Sequence, residues 1–157
     1  MNVFEYQARV EPAWVDHNNH MNDAAYVRVF SDATDAWLAS LGLDTTRITD
    51  TGYTVFTLEN RTQYLKELQL DAHMTVHVMV CDYDEKRIHA VLTLSDANDV
   101  ACARYEVMLM GMDQTLGKPA PFPKDIFERL VATVEQQTTM SLPESLQTQI
   151  GIRRKNR

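Results

Sequence analysis

The sequence predicts an α+β domain: an antiparallel sheet curling around one long, buried helix. Three observations carry that prediction. A single long amphipathic stretch, from about residue 22 to 41, places Tyr26, Val29, Phe30, Ala33, Trp37 and Leu41 at spacings mostly of three and four. Strand-like stretches then follow one another through short polar turns, the pattern of antiparallel pairing. The length of 157 residues and the apolar fraction of 45% suit one core, against which a lone helix must bury its apolar face.

Residues 3–10 alternate loosely and read as a first strand, which Pro12 ends. The long helix spans roughly 30 Å, enough to cross a small domain. Ala24, Ala25, Ala33, Ala36 and Ala39 keep it slim, and Gly42 is placed to terminate it. Residues 53–64 form the next strand. In 74–81, Met74, Val76, Val78 and Val80 share one face and Thr75, His77, Met79 and Cys81 the other. The acidic run 82–86 is a hairpin turn, 87–95 a strand with Ile88, Ala90, Leu92 and Leu94 on one face, 96–99 a second turn, and 100–112 a long final strand. Gly117, Pro119, Pro121 and Pro123 stop it, and Ile126, Phe127, Leu130, Val131 and Val134 mark a C-terminal amphipathic helix. Ser141 and Glu144 suggest a capped short turn. We divide the chain into a domain over 1–140 and an extension over 141–157.

Composition narrows the function. A net charge of −7 argues against nucleic acid as a partner. No apolar run reaches the roughly 18 residues needed to cross a bilayer, and the first residues lack the apolar block of a signal peptide, so a cytoplasmic protein is expected. Cys81 and Cys102 fall in strands, form no CxxC pattern and are read as reduced packing residues; the sequence shows no zinc-ligand set, and no metal is expected. Arg153, Arg154, Lys155 and Arg157 make a basic tail, either a solvated terminus or a contact for a polyanion or an acidic neighbouring subunit.

The chemistry concentrates in Asp16-His17-Asn18-Asn19-His20-Met21-Asn22, immediately before the long helix. The first N–H groups of a helix lack intrahelical partners, and its dipole presents a positive end there. Asp16 therefore lies close in sequence to groups able to hold a developing negative charge. By itself Asp16 could equally brace the turn, a role worth about 1 kcal/mol.

The Asp16–Tyr26 segment and the order of elements resemble the hotdog-fold acyl-CoA thioesterases, in the 4-hydroxybenzoyl-CoA thioesterase-like branch. Asp16 stands four residues before His20, Asn22 follows, Tyr26 takes the aromatic position a turn later, and Asn19 stands where that branch usually has Gly. Together with Phe30-Ser31-Asp32-Ala33-Thr34-Asp35 and Asp84-Glu85-Lys86-Arg87-Ile88-His89, the segment resembles the betainyl-CoA thioesterases of carnitine catabolism, some of which are fused to carnitine dehydrogenase.

The resemblance implies a hotdog fold and hydrolysis of a short acyl-CoA, betainyl-CoA in the first place. Asp16 would be general base or nucleophile, supported by His20 and Asn22, with N–H groups near Ala24 and Ala25 as oxyanion donors. Trp14, Asn18, Ala25 and Tyr26 would bind substrate, and Glu59 is the alternative base, ahead of Glu67 and Glu106. A quaternary ammonium group calls for aromatic faces, for which Trp14 is favoured and Tyr26, Trp37, Tyr53, Phe56 and Tyr64 are further candidates. Arg61, Lys66, Lys86 and Arg87 are candidates for the coenzyme's phosphates. His17 is expected to face solvent, and His73, His77 and His89 to be structural, without matching partners. No cofactor is implied beyond the coenzyme A of the substrate. The family pairs subunits through a continuous sheet, which implies a homodimer or homotetramer. The rival readings are a thioesterase for another short-chain or aromatic acyl-CoA, a hotdog dehydratase, and an acyl-CoA-binding module without catalysis.

Overall fold

The computed structural model describes residues 3–137 and 148–155. The elements are β1 (Glu5–Arg9), a single 3-10 turn (Pro12–Trp14), α1 (Asp23–Ser40), α2 (Thr45–Thr51), β2 (Tyr53–Tyr64), β3 (His73–Tyr83), β4 (Arg87–Ser95), β5 (Ala101–Asp113), β6 (Lys118–Pro119) and α3 (Lys124–Gln137). The sheet has the order β1-β3-β4-β5-β2, with β6 paired to β5. β1 runs antiparallel to β3, with Glu5 opposite His77 and Arg9 opposite His73. Turn carboxylates shape the links. Asp84 Oδ1 accepts from the N–H groups of Lys86 and Arg87 at 3.0 and 2.7 Å, and Asp96 Oδ1 from those of Asn98 and Val100 at 2.9 and 3.0 Å.

The α+β class and the order of helix and strands agree with the sequence reading. Three short elements were not foreseen: the 3-10 turn, β6 and α2. α2 has no apolar stripe to betray it. Its ends define it instead: Asp44 Oδ1 accepts from Arg47 N at 2.9 Å, and Gly52 closes it at φ 70°. The capping box proposed at Ser141 and Glu144 lies outside the described residues.

The chain divides into two compact units. The first comprises Met1–Trp37, Thr62–Val78 and Val91–Tyr105. In it the apolar stripe of α1 is buried as patterned: Tyr26, Val29, Phe30, Ala33 and Trp37 are all at most 4% exposed. Phe30 stacks on Tyr105 of β5 with ring centroids 5.0 Å apart, and Met74, Val76, Leu92 and Leu94 are buried in the same unit.

The second unit comprises Leu38–Arg61, Met79–Ala90 and Glu106–Arg157. Its core includes Ile88, Val107, Leu109, Ile126 and Leu130. The end of α1 is closed by Gly42 at φ 102°, where a Cβ would lie 2.2 Å from Arg129 Nη1, and Arg129 itself donates to the Leu41 carbonyl at 3.1 Å. The Arg47 guanidinium grips Asp125 of α3 with both nitrogens and holds that carboxyl down to about 2.

Two expectations are corrected here. His89 is not without a partner: its Nε2 lies 2.9 Å from Glu106 Oε1, both side chains buried. His77 likewise lies 4.0 Å from Glu5. The described part of the tail is also attached to the body of the chain. Gln149 and Ile150 donate their N–H groups to Glu106 at 2.8–3.0 Å, Ile150 is 8% exposed, and Arg154 makes a two-point pair with Asp82. Adjacent strands place His89 and Glu106 side by side, and the backbone of the tail supplies donors that no side-chain pattern announces.

Burial pushes the Glu106 carboxyl up, but the Gln149 and Ile150 N–H groups and His89 outweigh it and hold it below its ordinary value. A depressed carboxyl stabilises the fold above its unfolded-state pKa, and that contribution is lost as pH falls through the folded value. Glu106→Gln should therefore cost about 1–3 kcal/mol, and remove part of the acid sensitivity. Hydrogen exchange at Gln149 and Ile150 should accelerate in the variant; unchanged protection there would contradict this role.

Among the described residues no helix is long and apolar enough to cross a membrane, and no cluster of side chains could hold a metal ion. Both cysteines are free thiols; Cys102 is buried, and burial pushes Cys81 up to about 11.

Candidate active site

Residues 14–23 fold into a loop that closes on Asp16. Its backbone N–H donates to the His20 carbonyl at 2.9 Å, and its carbonyl accepts from Asn19 N at 3.0 Å. Its Oδ1 accepts from Asn18 N at 2.8 Å and His20 N at 3.3 Å. Asn19 sits at φ 61°, a left-handed conformation that Asn tolerates and that glycine would adopt readily. The loop is pinned to the chain beyond β2 by Met21 N on the Leu68 carbonyl at 2.8 Å and by pairing of His20 with Gln69. The turn uses Asp16 Oδ1; Oδ2 takes no hydrogen bond from the described residues.

Asn22 caps α1, its Oδ1 accepting from Ala25 N at 3.1 Å. Asp23 Oδ1 accepts from Ala24 N at 3.0 Å. The two N–H groups expected as oxyanion donors are thus already engaged by the capping side chains. The Asp23 N–H, first of the helix, has no partner among the described residues.

Within the first unit, Asp16 opens onto a cleft of about 420 Å³, lined also by Asn18, His20, Met21, Asp23, Tyr26, Tyr64, Leu65, Lys66 and Glu67. Tyr26 and Tyr64 meet edge to face, centroids 5.3 Å apart, and the Tyr64 hydroxyl donates to the Asp23 carbonyl at 3.1 Å. Burial raises both phenols, so both remain neutral and able to donate. His20 Nε2 lies 3.3 Å from Glu67 Oε2. Lys66 Nζ lies 2.5 Å from Asp96 Oδ2. Three carboxylates therefore border the cleft, and its one lysine is paired elsewhere.

Of the residues singled out in the sequence, Asp16, Asn18, His20, Tyr26, Tyr64, Lys66 and Glu67 line this cleft; Asn22 and Ala25 form the helix start beside it. Trp14 does not. It lines a separate groove of about 440 Å³ with Tyr6, Arg9, Glu11, Arg28 and Asp32. Glu59 is exposed on β2 and Arg61 half-buried there, neither lining the cleft. Lys86 belongs to the β3–β4 turn. Arg87 directs its guanidinium at Asp84 Oδ2, at 2.8 and 2.6 Å, and is not placed as a free phosphate ligand. Reading the sequence underrated Glu67 and passed over Asp23 and Leu65. Glu67 stands 51 positions after Asp16, and backbone contacts of Met21 with Leu68 and of His20 with Gln69 bring it to the loop.

Comparison with known proteins bears on this arrangement. The thioesterase-like superfamily matches residues 10–130. The chain is 36% identical over 149 residues to the betainyl-CoA thioesterase of Pseudomonas aeruginosa, covering 94% of this chain and 93% of that one. It is 30% identical to the L-carnitine dehydrogenase/betainyl-CoA thioesterase of Rhizobium meliloti, over 93% of this chain but 29% of that longer protein. Among solved structures, a Staphylococcus aureus protein characterised in complex with CoA superposes with a TM-score of 0.89 at 36% identity, covering 97% and 96% of the two chains. The DHNA-CoA thioesterase of Staphylococcus aureus shares the fold at a TM-score of 0.77 and 13% identity, covering 88% of this chain and 95% of that one. With its matching sheet, helix and sequence, the chain belongs to the thioesterase-like superfamily and is a thioester hydrolase of hotdog fold.

Proposed function

We propose that the chain hydrolyses betainyl-CoA at the Asp16 cleft. The observation that carries this reading is the charge of the cleft. Asp16, Asp23 and Glu67 border it, while Lys66 is paired with Asp96. Such a cleft repels a polyanionic coenzyme unless the acyl group itself is cationic. Betaine's trimethylammonium is one methylene from the scissile carbonyl, so an acidic, tyrosine-walled cleft beside the reacting carboxylate suits it. The high identity to a betainyl-CoA thioesterase supports the same substrate.

In this reading Asp16 acts as general base. The turn fixes Oδ1 and leaves Oδ2 to take a proton from water as that water attacks the thioester carbon. The carbonyl oxygen gains negative charge at the start of α1, where the Asp23 N–H is available as a donor. Collapse of the tetrahedral intermediate expels the coenzyme A thiolate, which takes up the proton. Asn22 supports the site by capping the helix; Asn22→Ala should cost about 1 kcal/mol of stability in a thermal melt, whereas no change would remove it from this role.

Thiol release from a panel of acyl-CoAs tests the substrate. Betainyl-CoA should be turned over with the highest kcat/KM. A preference for benzoyl or long-chain thioesters would overturn the reading, and binding without release would favour a non-catalytic module. We also propose a homodimer or a homotetramer built from it. β2 is an edge strand and carries Phe56 and Leu58 at 45% and 54% exposure, surface that a second copy would cover. Light scattering should give at least twice the mass of one chain; a monomer would contradict it.

A further inference from the structure

We propose that Glu67 selects the cationic acyl group, providing the negative charge for its trimethylammonium against the Tyr26 and Tyr64 rings while His20 holds the carboxylate in place. The proposal rests on the betainyl reading of the cleft and assigns the residue that gives it charge specificity.

The three carboxylates are not equivalent. Asp16 Oδ1 is committed to the turn, and in the proposed reaction its other oxygen is the base. Asp23 is committed to the Ala24 N–H at the helix start. Glu67 has His20 Nε2, at 3.3 Å, as its partner among the described residues. Its side chain is 75% exposed, so its charge is open to a ligand entering from solvent.

A trimethylammonium group has no N–H to donate. It is held by diffuse attraction to carboxylates and aromatic rings, not by directed hydrogen bonds. The tyrosine wall is held firmly for that purpose: Tyr26 is 4% exposed, and Tyr64 is tied by its hydroxyl to the Asp23 carbonyl. Lys66, next in the chain, would neutralise Glu67 if free. It is drawn to Asp96, and the N–H groups of Leu65 and Lys66 are fixed on the Cys102 carbonyl at 2.8 and 3.1 Å. His20 completes the geometry. Its backbone N–H is on Asp16 and its ring on Glu67, so one residue touches both of these carboxylates.

The test compares betainyl-CoA with 3,3-dimethylbutanoyl-CoA, which replaces the ammonium nitrogen by carbon and keeps the shape without the charge. Wild-type protein should prefer betainyl-CoA in kcat/KM. In Glu67→Gln that preference should fall about tenfold, mainly through a higher KM for betainyl-CoA. Glu67→Asp, which keeps the charge on a shorter arm, should retain more of the preference than Glu67→Gln. An equal loss on both substrates, or a preference unchanged in Glu67→Gln, would overturn the role of Glu67 while leaving the betainyl reading in place. A wild-type protein with no preference for the charged substrate would overturn both.

Discussion

Asp16→Asn should reduce kcat for thioester hydrolysis by about 10²- to 10⁴-fold, the range typical of a lost general base, while leaving the loop folded. The separation of effects follows from the two oxygens. An asparagine retains an Oδ1 that can accept from Asn18 N and His20 N, so the turn at residues 16–20 keeps its closure. What disappears is the carboxylate oxygen that the turn leaves unused, the proposed base. Asp16→Ala should lose activity and also the turn, with a further cost of about 1 kcal/mol in stability. Thiol release and thermal melts on the two variants distinguish the roles. An Asp16→Asn protein with wild-type turnover would leave Asp16 as a bracing residue only.

Phe30→Ala should be the most damaging single change to the fold, costing about 3–5 kcal/mol. Phe30 is fully buried on α1 and stacks on Tyr105 at 5.0 Å with the rings 11° from parallel. Truncation removes the ring's transfer energy and leaves a cavity in the packed core of the first unit. At about 2–4 °C per kcal/mol for a chain of this size, the melting temperature should drop by roughly 6–20 °C. A shift of under about 2 °C would show that the helix does not depend on this contact.

The sequence was most informative where burial imposes a period. The stripe at Tyr26, Val29, Phe30, Ala33 and Trp37 located α1 and its buried face, and the polar turns at 82–86 and 96–99 separated β3, β4 and β5. α2 escaped because its stability comes from Asp44, Gly52 and the Arg47–Asp125 pair, contacts without periodicity. At the candidate site, the loop holding Asp16, Asn18 and His20 was legible because its groups are consecutive. Tyr64 and Glu67 were named as candidates, but their place beside that loop was not legible, since a backbone pairing between distant stretches brings them in. Trp14 shows the converse limit. Two residues from Asp16 in sequence, it lines a different groove: it ends the 3-10 turn Pro12–Trp14, whereas Asp16 belongs to the turn that follows. The fate of the Ala24 and Ala25 N–H groups also depended on which side chains swing back to cap them.

The most direct test of the central claim is a crystal structure of Asp16→Asn protein with betainyl-CoA bound. The account predicts the thioester carbon beside residue 16 and the trimethylammonium between Glu67 and the Tyr26–Tyr64 pair, with the coenzyme's phosphates outside the cleft. An acyl group seated instead in the groove of Trp14, Tyr6 and Asp32, with the Asp16 cleft empty, would contradict it.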